Sequence, residues 1–415
     1  MALKVLMFGW EFPPHNSGGL GVACKGLVKG LSREGVNITF VLPRRVETDM
    51  SDAKFLFADI KNVDVVEVGS SLRPYVTPEG YARVWSHEED DKIYGNTLAE
   101  EVYRYARKAR EIALREDFDL IHAHDWLSFL AGIEAKRATG KPLVIHVHAT
   151  GWDQCGGGNI DPTIYAIEQR GMQEADCIIA VSNWTKRVMV EHYGVPESKI
   201  KVVHNGIDAE DYDRVQVPKI EAFKRAGYKA VLFVGRITIQ KGPDYFIKLA
   251  RRVLEFAPKT IFVMSGSGDM EAQVMREAAA YGVSDKFVFT GFLRGKELQA
   301  VYQMADIYIL PSVSEPFGIT PLESLLNGTP VLVSKQSGVS EVLTHALVAD
   351  FWDIDSMTDQ VLSVLEHDSL RGTLRENGKQ NILGITWKSA AEKCKLVYES
   401  MMEHFSGLQS AHGAL

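Results

Sequence analysis

Lys4-Val-Leu-Met-Phe-Gly9, then Ser17-Gly-Gly-Leu-Gly21, a helix-like stretch from Val22 to Leu31, and Asn37-Ile-Thr-Phe-Val-Leu42 together decide the fold. A short apolar run, a glycine loop, a helical period and a second apolar run form the strand–loop–helix–strand unit of a doubly wound parallel sheet. The rhythm continues through Leu120-Ile-His-Ala-His124, Leu143-Val-Ile-His-Val-His148, Cys177-Ile-Ile-Ala-Val181 and Ile200-Lys-Val-Val203. Residues 70–97, with Pro74, Tyr75, Pro78, Tyr81 and Trp85, break it and read as an excursion over the surface. After His204-Asn-Gly-Ile-Asp208 a second series begins. Its strands read Ala230–Val234, Thr260–Met264, Phe287–Phe289, Ile307–Leu310 and Pro330–Val333. Helices are expected between them near 243–256, 269–281, 296–304, 320–327 and 339–344. The fold class is α/β: two Rossmann-like doubly wound parallel-sheet domains facing a cleft. The domains are read as 1–204 and 205–386, with a polar hinge near 205–215 and a C-terminal helix and tail at 387–415 packing back on the first.

At 415 residues the chain exceeds the size at which one core stops growing, which agrees with two domains. A hydrophobic content of 46% and a charged content of 24% are ordinary for a globular protein. The net charge of −8 argues against nucleic acid or anionic lipid as a partner. Four scattered cysteines, Cys24, Cys155, Cys177 and Cys394, form no metal-ligand spacing and suit a reducing compartment. With no secretory leader and no apolar run of membrane-spanning length, the expected location is cytoplasmic. Oligomeric state is left open.

Ligands of such sheets bind at the carboxyl ends of the strands, and every candidate below follows an expected strand. Glu315-Pro-Phe-Gly-Ile-Thr-Pro-Leu-Glu323 sets two carboxylates eight positions apart around a turn that opens a helix. Free N–H groups there accept an anion, while the flanking acids accept hydroxyl hydrogen bonds. That pairing suits a nucleotide sugar; an ordinary loop and capped helix is the competing reading. Arg236 and Lys241, in Gly235-Arg-Ile-Thr-Ile-Gln-Lys-Gly242, would neutralise a leaving diphosphate, or be solvated surface charge. Gly18 and Gly19 would let a backbone approach the diphosphate, or serve a tight turn. Gly268 would admit the nucleotide, and Phe292-Leu293 would sandwich a base. His148 would bind a sugar hydroxyl or be a packing histidine. Asp125 and Trp126 would line an acceptor groove, or be a cap and a core ring. His122 and His124 have strand-end spacing with no evident third donor, so a zinc site is rejected.

Taken together, these segments resemble the retaining nucleotide-sugar glycosyltransferases of the GT-B fold, in the branch holding glycogen and starch synthases. The Glu315–Glu323 segment is the most specific match. Ser17-Gly-Gly-Leu-Gly21, His124-Asp125-Trp126 and His204-Asn-Gly-Ile-Asp208 are similar to other motifs of the branch. The resemblance implies that Arg236 and Lys241 hold the diphosphate and that Glu315 engages the donor sugar. Phe317, Gly318 and Ile319 would offer backbone N–H groups, Glu323 would bind the ribose, and His148 would contact the sugar near its anomeric centre. Asp153 and Asn205 join Asp125 and Trp126 as acceptor-side candidates. No cofactor and no essential metal are implied. The partners are a nucleotide-sugar donor, UDP-glucose slightly preferred over ADP-glucose, and a glucan acceptor. The preference arises because Asn16-Ser17 replaces the branch's Lys-Thr. The branch's acid is missing at Gly151, and Ser337-Gly-Val-Ser-Glu341 leaves Gly338 and its helix start for phosphate contact. The alternatives are another hexosyl- or mannosyltransferase with a small-molecule, lipid or polysaccharide acceptor, and a non-catalytic sugar-binding protein.

Overall fold

The computed structural model describes residues 2–12, 18–44, 63–69, 97–211 and 226–412. Ser17, nearly all of the expected surface excursion and part of the expected hinge lie outside these residues. The chain divides into two compact units, each holding one sheet. One comprises Met1–Gly151, Ile160–Gly206 and Trp387–Leu415; the other comprises Trp152–Asn159 and Ile207–Thr386. The stretch Trp152–Asn159, expected in the first half, thus belongs to the second unit.

In the first unit the strands are β1 (Lys4–Phe8), β2 (Asn37–Arg44), β3 (Val63–Gly69), β4 (Leu120–His124), β5 (Leu143–Val147), β6 (Cys177–Ala180) and β7 (Ile200–Val202). They run parallel in the order β3-β2-β1-β4-β5-β6-β7. In the second unit β8 (Lys229–Val234), β9 (Thr260–Ser265), β10 (Phe287–Gly291), β11 (Ile307–Leu310), β12 (Val331–Ser334) and β13 (Leu347–Ala349) take the order β10-β9-β8-β11-β12-β13. Each order reverses once, at β1/β4 and at β8/β11. At such a switch point neighbouring loops diverge to opposite faces and leave a crevice beyond the carboxyl ends of the strands. β4 and β5 are buried along their whole length, as strands of a doubly covered sheet are, although His122, His124 and His146 interrupt their apolar runs.

The helices between strands are set by local chemistry. Thr97 accepts the N–H of Glu100 to start Leu98–Ala113, Asp161 caps Pro162–Glu174, and Ser182 caps Asn183–Tyr193. The last helix, Trp387–His412, lies against Gly19–Arg33 in the first unit. Glycine makes this approach possible: a Cβ on Gly26 would stand 2.2 Å from the Trp387 indole, and one on Gly30 2.7 Å from the Ala391 methyl. Three expectations need correcting. β3 and β13 were not anticipated, because both are sheet edges whose pattern is short or mixed with acids. Between 344 and 387 the chain forms two helices, Ile354–Glu366 and Asp368–Ile382, which no element was expected to fill. The helix expected at 339–344 is only a 3-10 turn, Gly338–Glu341.

Candidate active site

The loops leaving β8 and β11 flank the second unit's switch point and are tied to each other. Val313 N–H donates to the Gln240 carbonyl at 2.9 Å. Gly242, at φ +63°, comes so near Pro311 that a Cβ would lie 2.1 Å from its carbonyl oxygen. This crossing sets Lys241 beside Glu315, and the Lys241 Nζ donates to the Glu315 carboxylate. Their side chains are only 16% and 6% exposed, so little water screens the pair. Ser312 Oγ donates to the same carboxylate oxygen at 3.3 Å, and Arg236 donates to the Gln240 amide at 2.9 Å. The structure therefore brings Arg236, Lys241 and Glu315 to one sheet edge.

Behind Glu315 the backbone is fixed by a second set of bonds. Glu315 N–H donates to the Gln336 carbonyl at 2.8 Å, Gly338 N–H to the Glu315 carbonyl at 2.9 Å, and Val339 N–H to the Phe317 carbonyl at 2.7 Å. Of the phosphate contact expected at Gly338 and its helix start, the Gly338 N–H is already used by Glu315. Gly318 and Ile319, in contrast, make no backbone hydrogen bond through N–H among the described residues. Gly318 sits at φ +98°, where a side chain is strained. Phe317 is buried. Glu323 lies in the helix Thr320–Leu326, and its carboxylate accepts the Tyr302 hydroxyl at 3.0 Å.

Gly268 and its neighbour Gly266 owe their identity to packing between loops. A Cβ on Gly266 would lie 1.8 Å from the Gly235 carbonyl oxygen, and one on Gly268 2.2 Å from that of Ile237. Ile237 N–H donates to the Ser267 carbonyl at 2.9 Å, closing the crossing. A Cβ on Gly19, however, meets nothing within 4 Å. Gly266→Ala is therefore expected to cost about 2 kcal/mol or more, and Gly19→Ala about 0.5 kcal/mol or less. Urea midpoints of the two variants measure this; equal midpoints would contradict it. Leu293 is half-buried beside Phe292, which is exposed and carries the Arg294 guanidinium over its ring at 4.9 Å.

In the first unit, Gly18 N–H donates to the buried Glu11 carboxylate at 2.9 Å, so a carboxylate already occupies the start of that helix. Asp125, the one non-glycine residue at positive φ (55°) among the described residues, accepts the N–H of His148 at 2.7 Å and of Ala149 at 3.3 Å. It holds the loop after β5 rather than standing open to an acceptor. Trp126 is 5% exposed and packs as a core ring, the alternative reading of that position. Asn205 is buried. Asp153, grouped with the second unit, is fully buried and accepts the Ser314 hydroxyl. Gly151 has a local reason too: a Cβ there would stand 2.8 Å from Ile160 and 3.2 Å from the Glu168 carboxylate, which accepts its N–H.

His148 belongs to a larger cluster that the sequence reading missed. His122 and His124 on β4, His146 on β5 and His148 just after it project to one face in alternate positions. Their rings stack with centroids 4.2 to 5.4 Å apart. His124 Nδ1 and His148 Nε2 share a hydrogen bond of 2.9 Å, and the Tyr398 hydroxyl bonds His122 Nδ1. Burial lowers all four imidazoles, His122 and His148 to about 3 and the others well below the ordinary value. They are neutral at pH 7. The register His124↔His146 was the signal available: two alternating His-x-His pairs on adjacent parallel strands.

The chain matches the family described as Glycosyltransferase Family 4 over residues 17–211 and that described as Glycosyl transferases group 1 over residues 218–381. It is 32% identical over 418 residues to an uncharacterised glycosyltransferase of Methanocaldococcus jannaschii, covering 97% of this chain and 99% of the relative. A glycogen synthase of Mycobacterium tuberculosis is 25% identical over 405 residues, covering 95% and 94%. A D-inositol 3-phosphate glycosyltransferase of Salinispora arenicola is 28% identical over 307 residues, covering 68% of each chain. Among solved structures, sucrose-phosphate synthase from Thermosynechococcus elongatus superposes with a TM-score of 0.77 at 17% identity, covering 97% and 100%. Anabaena HepE, solved in complex with UDP-glucose, gives 0.67 at 18%, covering 96% and 100%. The chain belongs to the group 1, family 4 type of glycosyltransferases and is a sugar-transferring enzyme of GT-B fold. No helix among the described residues is long and apolar enough to cross a membrane.

Proposed function

We propose that the enzyme transfers glucose from UDP-glucose or ADP-glucose to an α-glucan with retention of configuration, as a glycogen synthase does. One observation carries this reading: Lys241 is held against Glu315 at the second sheet's switch point, with Arg236 on the same edge. A departing nucleoside diphosphate develops negative charge there, and two preorganised cations stabilise it without reorganising water. The N–H groups of Phe317, Gly318 and Ile319 and the Glu315 carboxylate would orient the sugar, and Glu323 the ribose. His148, neutral by burial, would accept or donate a sugar hydroxyl bond. Attack and departure on one face of the sugar leave the configuration unchanged and require no protein nucleophile. The two cations make an essential metal unnecessary for transfer.

A second reading has a small hydroxylated acceptor in place of glucan. It is favoured by the buried Trp126, which offers no stacking face, and by the absence of a carboxylate at position 151. Incubating the enzyme with UDP-, ADP- and GDP-sugars against maltooligosaccharides and inositol phosphate, followed by product mass, separates these. Single-hexose increments on maltooligosaccharide with UDP-glucose are expected. Transfer only to the small acceptor would replace the glucan reading. Nucleotide binding with neither transfer nor donor hydrolysis would make the chain a binding protein.

A further inference from the structure

We propose that the histidine cluster of the first unit is a buried site for a borderline transition-metal ion of the zinc type, with His122, His124 and His146 as ligands. This reverses the rejection of zinc from sequence, since the missing third donor comes from the neighbouring strand. The three rings each bring a donor atom, and these atoms lie within 4.8 Å of one another. Some point is then within about 2.8 Å of all three, and zinc–imidazole bonds are about 2.0–2.1 Å. Bringing each donor to bonding distance is a shift of up to about 0.7 Å.

The unused nitrogens argue for a ligand more strongly than the spacing. His122 Nε2, His124 Nε2 and both nitrogens of His146 are buried and have no hydrogen-bond partner. Leaving such groups dry costs about 1–3 kcal/mol each, so a cluster of five orphans, His148 Nδ1 included, calls for an occupant. The bonded nitrogens complete the pattern. His122 Nδ1 is held by Tyr398 and His124 Nδ1 by His148. A metal-binding histidine characteristically uses one nitrogen for the ion and the other for an orienting partner. Burial keeps the rings in the neutral, lone-pair-bearing form that an ion requires. The buried carboxylates Asp125 and Glu11 act on nearby Cys24 and supply negative potential at this end of the sheet. Bound there, the ion would tie β4 to β5 and fix the His124 ring that bonds His148. Its role is structural, and it is independent of which sugar or acceptor the enzyme uses.

The test is elemental analysis of the full-length protein after loading with Zn2+ and removal of free ion. About one equivalent of zinc is expected, dropping to near none in His146→Asn. His192→Asn, a helix position outside the cluster, should retain it. Because His146→Asn also removes a buried ring, Co2+ substitution of the unaltered protein provides a second readout. Visible d–d bands of a four-coordinate site with three imidazole nitrogens and one water are expected. Failure of the native protein to retain zinc would overturn the site, as would equal retention by His146→Asn. An intense thiolate-to-cobalt charge-transfer band would overturn the donor set, since Cys24, His124 and His148 form the competing triad.

Discussion

Lys241→Ala is expected to lower kcat by about 10²- to 10³-fold, the effect of removing one preorganised charge from a developing oxyanion, or about 2.7–4 kcal/mol. The size follows from position. Lys241 and Glu315 are mostly shielded from water, so the lysine's charge acts at a lower effective dielectric than on the surface. The same burial creates a complication that the experiment has to separate. Truncating one partner of a buried pair strands the other charge, at about 3–5 kcal/mol, and the variant would lose stability as well as rate. Lys241→Ala combined with Glu315→Gln removes the stranded carboxylate. The double variant should recover its melting temperature, while its kcat stays well below that of Glu315→Gln alone. If Lys241 is only structural, the double variant matches Glu315→Gln in kcat once its melting temperature has recovered. A folded Lys241→Ala enzyme with near-native kcat would remove Lys241 from the leaving-group site.

What could be read in advance follows from what each signal depends on. The doubly wound class of both units was accessible because β1, β4, β5, β8 and β11 are largely apolar runs followed by glycine or polar loops. The placement of Arg236, Lys241 and Glu315 on one edge was legible for the same reason: each stands within a few residues of a strand end. Side-chain partners were not. Nothing in the sequence says that the Gly338 N–H is consumed by Glu315, or that Gly266 and Gly268 are glycines because a neighbouring carbonyl needs the room. These are contacts between loops distant in sequence, and local pattern carries no information about them. The histidine cluster failed differently. Both pairs were visible, but reading them as separate strand ends hid the register that stacks four rings and leaves five of their nitrogens without a hydrogen bond.

Those four rings make acid stability the other large expected effect. In the metal-free folded protein, burial holds His122 and His148 near 3 and lowers His124 and His146 as well; unfolded, each returns to about 6.5. Between these limits the unfolded chain binds more protons than the folded one, so unfolding free energy rises with pH through the window. The stability is fully present above pH 6.5 and is lost as the pH falls toward 3. Each ring contributes a slope of up to about 1.4 kcal/mol per pH unit. Groups facing the rings do not offset this: burial keeps Cys24 and Tyr398 protonated, and the Asp125 carboxylate is engaged by the N–H groups of His148 and Ala149. From pH 6.5 to 5 most carboxylates remain ionised, which isolates the imidazole contribution. Calorimetry of chelator-treated protein should show a melting temperature falling steeply across that interval, with proton uptake on unfolding of more than about two. His146→Phe should reduce the uptake by about one proton, because it removes one ring from the count. A melting temperature that stays flat down to pH 5 would mean that the cluster is hydrated in solution and already free to take protons in the folded state.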